Sequence, residues 1–228
     1  MENARPIQVL KLLGARKTWL LVGLIFLGRM VYFAYWGTLL EIDSLGYLHF
    51  QTALYHPPLY SAFCWVAMQI GRSVDAVVVA QSLFYSLCAG LLIGSWGKTW
   101  KMQVLIAFLL AVEPCSGKLA CTVMAETVFL SLLMLSWLSL SGIQNTPPRQ
   151  FYRAVAISGL VLGFAYETRY AAPVFLVAML VWMIFSRLQW RRIVLATVLI
   201  FLAFQISLLP LRSYYRLQFG TWQTNAFS

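Results

Sequence analysis

The sequence predicts an all-α fold, a polytopic transmembrane helical bundle of about seven spans with a short surface helix in the first outer loop. Three observations predict it. Hydrophobic types make up 61% of the 228 residues and charged types only 11%, against roughly 45–50% and about 25% in soluble domains. The apolar residues come in long runs split by short charged links, which is the pattern of membrane spans and excludes a soluble fold with one core. Basic residues collect in alternate links, as they do in the cytoplasmic loops of membrane proteins, so the net charge of +10 is read as topology and not as a nucleic-acid surface.

The first apolar stretch, Trp19 to Leu40, is long enough to cross, and no small-residue cleavage site follows it. It reads as a retained helix and not as a signal peptide. Candidate spans lie near 18–40, 75–96, 101–114, 123–142, 153–171, 172–186 and 193–210. The run Pro57 to Ile70 decides the topology. It has fourteen residues, a length that lies at an interface more often than it crosses. If it stays on the surface and the N-terminus is inside, the inner segments hold Arg5, Lys11, Arg16, Lys17, Lys98, Lys101, Arg149, Arg153, Arg187, Arg191 and Arg192, eleven of the seventeen basic residues. If it crosses, Lys98, Lys101, Arg149, Arg153 and the Arg187/Arg191/Arg192 cluster all turn outward. The positive-inside rule selects the first arrangement. One transmembrane domain therefore covers 1–228, with a cytoplasmic N-terminus, an outer C-terminus and a first outer loop at 41–74 that carries an interfacial helix.

The cysteines Cys64, Cys88, Cys115 and Cys121 have no Cys-x-x-Cys or zinc spacing and read mostly as packing residues. Cys115 and Cys121 form a candidate pair if their loop faces an oxidising compartment.

There are seven acidic residues, and all except Glu2 fall on or near the outer side: Glu41, Asp43, Asp75, Glu113, Glu126 and Glu167. His49 and His56 join them there. Ionisable groups at membrane depth cost several kcal/mol unless paired or hydrated, so they mark functional sites by default. In the first outer loop, Asp43 and Tyr47 are four apart and share a face on a helix. An aspartate in that place can act as a general base or a metal ligand, or it can simply cap a helix. His56-Pro57-Pro58 is a stiff entry into a helix, either a clip that places His56 or a plain helix start. Glu126 opens the fourth span, where the helix macrodipole alone justifies an acid; the sharper reading is a second carboxylate facing Asp43. Glu167 and Arg169 are two apart and do not share a helix face, so each needs its own partner. Arg29, Arg169, Arg212 and Arg216 could hold an anionic headgroup, since guanidinium matches phosphate bidentately, or snorkel to lipid phosphates.

Taken in order, these residues resemble a known family. An arginine late in the first helix precedes an outer-loop Asp-x-x-x-Tyr (Asp43, Tyr47) and His56-Pro57-Pro58-Leu59-Tyr60. There follow a proline-ended third helix, a Met-x-Glu at Met124 to Glu126, Gly159-Leu-Val-Leu-Gly163 before Thr168-Arg169, and a closing Arg212-Ser-Tyr-Tyr-Arg-Leu-Gln-Phe219-Gly220. The pattern is similar to membrane glycosyltransferases of the GT-C fold, nearest to the dolichyl-phosphate-mannose protein mannosyltransferase-like group and the aminoarabinose transferases that act on lipid A. The resemblance implies transfer of a sugar from a polyprenyl-phosphate donor to an acceptor on the extracytoplasmic face of a bacterial plasma membrane. By carry-over, Asp43 and Glu126 are the catalytic candidates, and Tyr47, His56, Arg29, Arg169, Glu167 and Arg212 the substrate-binding ones. If a divalent metal ion takes part, its candidate ligands are Asp43, His56 and Glu126. Members of that group are usually longer, with more helices and often a soluble outer domain. The resemblance thus also leaves room for a fragment, a reduced form working with a partner subunit, or a non-catalytic membrane subunit that binds lipid-linked sugar. A small transporter is the remaining alternative, although neither inverted repeats nor ionisable groups near the midplane stand out.

Overall fold

The computed structural model describes residues 12–49, 57–96, 98–141, 146–186 and 188–219. Among them the chain is helical, with one isolated β-bridge and no named strand. The helices are α1 (Arg16–Trp36), α2 (Ile42–Leu48), α3 (Pro58–Gly71), α4 (Asp75–Ser95), α5 (Trp100–Val112), α6 (Pro114–Cys121), α7 (Ala125–Leu140), α8 (Pro148–Tyr166), α9 (Pro173–Phe185), α10 (Trp190–Ser207) and α11 (Leu209–Phe219).

A helix stands at each of the seven expected spans. By length and composition, α1, α4 and α10 can each cross a membrane, and α5 with α6 forms a fourth candidate bent by 57°. Helices α7 and α9 are apolar but shorter. The first span ends earlier than the apolar run suggests, because Gly37 takes the left-handed region at φ 64 and stops α1 at Trp36. The segment 115–121, expected as a loop, is the helix α6. Pro114 starts it, and the Glu113 carboxylate accepts from the N–H groups of Cys115 at 2.8 Å and Ser116 at 2.6 Å. All four cysteines are free, which removes the candidate Cys115–Cys121 disulfide. Burial pushes the Cys64 thiol on α3 up to about 12, as suits a packing residue.

The major packing runs as a row, α10 on α8, α8 on α7, α7 on α4, α4 on α1, and α1 on α5 and α6. Small residues set the closest approaches. A Cβ on Gly159 would lie 2.5 Å from the Ile200 carbonyl oxygen, and Gly163 faces Ser207, so this Gly-x-x-x-Gly face of α8 lies directly against the α10 backbone. Ser136 and Ser158 hydrogen-bond at 2.8 Å between α7 and α8. Large apolar side chains on α1, α9 and α10, such as Leu27, Val174, Val177 and Phe201, remain exposed, as lipid-facing surfaces do.

Side-chain contacts fix the relative directions of the helices in pairs. The Lys17 ammonium lies 5.7 Å from the Trp100 ring, and Tyr32 donates to the Val112 carbonyl at 2.6 Å, so α1 and α5 run parallel. Phe129 meets Phe175 and Trp137 meets Trp182, so α7 and α9 run parallel. Gly159 and Gly163 meet Ile200 and Ser207 in the same order, which makes α8 and α10 parallel. Gly90 against Val22 and Gly94 against Thr18 make α4 antiparallel to α1. One end of the bundle thus carries Lys17, Lys98, Lys101, Arg149, Arg153, Arg191 and Arg192. The opposite end carries Glu41, Asp43, Asp75, Glu126 and Glu167.

Candidate functional site

At the acidic end, the segment after α1 runs extended and is anchored twice. The Thr38 hydroxyl donates to the Asp75 carboxylate at the start of α4. Leu39 forms a parallel bridge with Thr122, its N–H donating to the Cys121 carbonyl at 2.9 Å while the Val123 N–H donates to the Leu39 carbonyl at 3.0 Å. The chain then enters α2 through a capping box. The Glu41 side chain accepts from the Ser44 backbone, and the Ser44 hydroxyl accepts from the Glu41 N–H at 2.8 Å while donating to the Val123 carbonyl at 2.8 Å. Glu41 is therefore the cap. That overturns the plain reading of Asp43 as the capping residue: Asp43 stands in the first turn with its side chain exposed, and no hydrogen bond to it is found among the described residues.

Tyr47, one turn beyond Asp43, is buried and meets Tyr60 edge-on with ring centroids 4.8 Å apart. Burial raises its phenol above the ordinary value and the nearby Asp43 charge adds to this, while Arg169 acts in the opposite sense. Asp43, Tyr47 and Arg169 thus share one electrostatic neighbourhood. Arg169 forms an ion pair with Glu126 in the first turn of α7. The pair is solvent-accessible, with side chains 47% and 22% exposed. As the spacing indicated, Arg169 does not pair with Glu167. That carboxyl is only 8% exposed, and one of its oxygens has no hydrogen-bond partner among the described residues. Its backbone carbonyl accepts from the Leu59 N–H at 3.1 Å, tying the end of α8 to the start of α3.

Arg29 has different neighbours. It is 2% exposed, with its guanidinium carbon 3.6 Å from the centroid of the Tyr85 ring and with Cys121 and Glu113 acting on it electrostatically. Arg212 lies on α11, its N–H donating to the Leu208 carbonyl at 2.9 Å. His56 lies outside the described residues. Among the described residues no three His, Cys, Asp or Glu side chains come together as a metal-binding group, and the Glu126 carboxylate is engaged by Arg169. The described residues do not assemble a metal site.

Sequence reasoning missed Gln81. Its side chain is fully buried and bonds to Tyr60, Ala120 and Thr122. The available signal was a lone amide inside an apolar run, which in a membrane span must find internal partners.

A family model described as dolichyl-phosphate-mannose-protein mannosyltransferase matches residues 55–212. The chain belongs to that family. The match takes in α3 to α10 and the start of α11, with Glu126, Glu167, Arg169 and Arg212; Arg29, Asp43 and Tyr47 precede it. No curated protein and no solved structure matches the chain. The family is one of membrane glycosyltransferases, and membership implies a membrane setting and a lipid-linked sugar donor.

Proposed function

We propose that the chain transfers a sugar from a polyprenyl-phosphate donor to an acceptor hydroxyl on the extracytoplasmic face of the membrane, with Asp43 as the general base. The observation that carries this reading is the grouping of Asp43, Tyr47 and the Arg169–Glu126 pair at one end of the bundle in a member of the mannosyltransferase family. Glu41 and Ser44 already cap α2, so the Asp43 carboxylate is left to face solvent. In the reaction, Asp43 takes the proton of the acceptor hydroxyl as its oxygen bonds to the anomeric carbon. The anomeric bond to the donor phosphate breaks, and the polyprenyl phosphate leaves with the electron pair. A guanidinium is suited to stabilise that departing charge. Arg169 fills this role, and Glu126 holds Arg169 in place until donor phosphate competes for it.

Glu167 and Arg212, at the same end, complete the proposed substrate-binding set together with His56, which is carried over from the sequence alone. Arg29 is enclosed between α1, α4 and α6, a place better suited to organising those helices around a buried charge than to first contact with a headgroup. The concentration of basic residues at the opposite end supports the assignment of the acidic end as extracytoplasmic.

The test is a transfer assay on protein in lipid vesicles supplied with radiolabelled polyprenyl-phosphate sugars and membrane extract as acceptor source. Asp43→Asn should bind donor like the wild type yet lose transfer by about 100-fold or more, the usual scale of general-base removal. Donor binding without transfer in the wild type would move the protein to a lipid-sugar-binding subunit. Absence of donor binding would defeat the glycosyltransfer reading altogether.

A further inference from the structure

One buried amide stands behind all three charged groups of the proposed site. Gln81 on α4 donates both amide hydrogens, to the Ala120 carbonyl at 2.7 Å and the Thr122 carbonyl at 2.8 Å, and accepts from the Tyr60 hydroxyl at 2.8 Å. The two carbonyls can only accept, which fixes the amide orientation and uses both of its donors. The contacts reach three limbs of the acidic end. Tyr60 lies in the first turn of α3, beside Leu59, whose N–H bonds the Glu167 carbonyl two residues before Arg169. Ala120 and Thr122 flank the end of α6 and lead through Met124 into α7 and Glu126. Thr122 and Val123 carry the bridge to Leu39 and the Ser44 bond, which set the position of α2 and of Asp43.

Building on the reading above, we infer that Gln81 is a positioning residue for glycosyl transfer: it touches no substrate, but it holds the Asp43, Glu126 and Arg169 limbs in mutual register through the start of α3 and the link between α6 and α7. Its place in the bundle explains how a short surface helix can be aligned with two spans. Each limb is bonded to its neighbour, and Gln81 is the branch point inside the bundle where two of these connections meet. A displacement of about 1 Å in reacting groups can cost on the order of 100-fold in rate, so loss of this brace should show in turnover before it shows in donor affinity.

The experiment compares wild-type protein with Gln81→Met and Gln81→Glu in lipid vesicles, measuring donor dissociation constant, number of donor-binding sites and transfer rate per occupied site. Methionine keeps an unbranched side chain and removes all three hydrogen bonds. The expected result is a roughly 10–100-fold fall in transfer rate per occupied site, with the donor dissociation constant little changed. Glutamate can still accept from Tyr60, but when ionised it cannot donate to the two carbonyls; its protonated form donates to one. Its rate per occupied site should therefore recover relative to wild type as pH falls, a pH profile that loss of folded protein alone would not produce. If Gln81→Met does not accumulate, Gln81→Glu carries the same comparison. A wild-type rate per occupied site in the variant that folds overturns the inference, as does a loss that merely tracks the number of donor-binding sites. Wild-type protein that transfers nothing defeats the glycosyltransfer reading and this inference with it, whereas active wild type beside an unaffected variant defeats the inference alone.

Discussion

Replacing Gly159 with alanine tests whether α8 and α10 depend on direct backbone approach. The added Cβ would stand 2.5 Å from the Ile200 carbonyl oxygen, 2.9 Å from the Ala203 Cβ and 3.0 Å from the Ile200 Cα. Two of these three neighbours are backbone atoms, so rotating a side chain gives no relief. Ordinary contact begins at 3.4 Å, and the helices would have to part by about 0.9 Å. A gap of ~0.5–1 Å forfeits a quarter to a half of the dispersion attraction across an interface. Overpacking of this kind costs about 1–3 kcal/mol. For a chain of this length that corresponds to ~2–4 °C in Tm per kcal/mol. The assay is thermal unfolding in detergent followed with a thiol-reactive dye in a Cys115→Ser background, so that only the buried Cys64, Cys88 and Cys121 report. Gly23→Ala is the control, because nothing lies within 4 Å of its Cβ position and alanine favours helix by roughly 0.5–1 kcal/mol. Gly159→Ala should melt lower than wild type, and Gly23→Ala at or above it. If both melt with wild type, the close approach of α8 and α10 is not what holds that half of the bundle together.

Two further outcomes follow from the site. Because the Arg169–Glu126 pair is exposed, Glu126→Gln should change stability by less than about 1 kcal/mol while lowering transfer, read by melting and transfer assays on one preparation; a large stability loss with normal turnover would make the pair structural. Tyr47 is raised above its ordinary value of 10.0 by burial and then by Asp43, so the folded protein keeps a proton that the unfolded chain releases. Its contribution is complete below about pH 10 and is lost as pH climbs from there towards the folded value, so Tyr47→Phe should make the alkaline loss of stability shallower. An identical pH–stability curve for the variant would show that this phenol does not couple to folding.

The apolar runs made the spans legible because a helix that crosses lipid must be apolar over most of its length, and this requirement is written residue by residue. Boundaries were less legible where one residue decides them. Gly37 ends α1 by its backbone conformation inside an unbroken apolar run, and Glu113 with Pro114 starts α6 where a loop was expected. Of the candidate site, Asp43 with Tyr47 was readable from a spacing of four, and the separation of Glu167 from Arg169 from a spacing of two. The pairing of Arg169 with Glu126 spans 43 residues and depends on how α7 packs on α8. Gln81 stayed hidden for the same reason: its partners are two backbone carbonyls and a hydroxyl on distant segments, and backbone groups leave no trace in side-chain pattern.

The bridge between Leu39 and Thr122 joins positions 83 residues apart. During synthesis, α1 to α5 can leave the ribosome and enter the membrane before this contact has a second half. At ~5–20 residues per second, Leu39 waits about 4–17 s for its partner. Through that interval α2 lacks the Val123 carbonyl that receives Ser44, and Gln81 lacks the two carbonyls that receive its amide. The docking of α2 therefore comes after α1 to α5 are made, and a nascent chain halted before Thr122 would display α2 undocked.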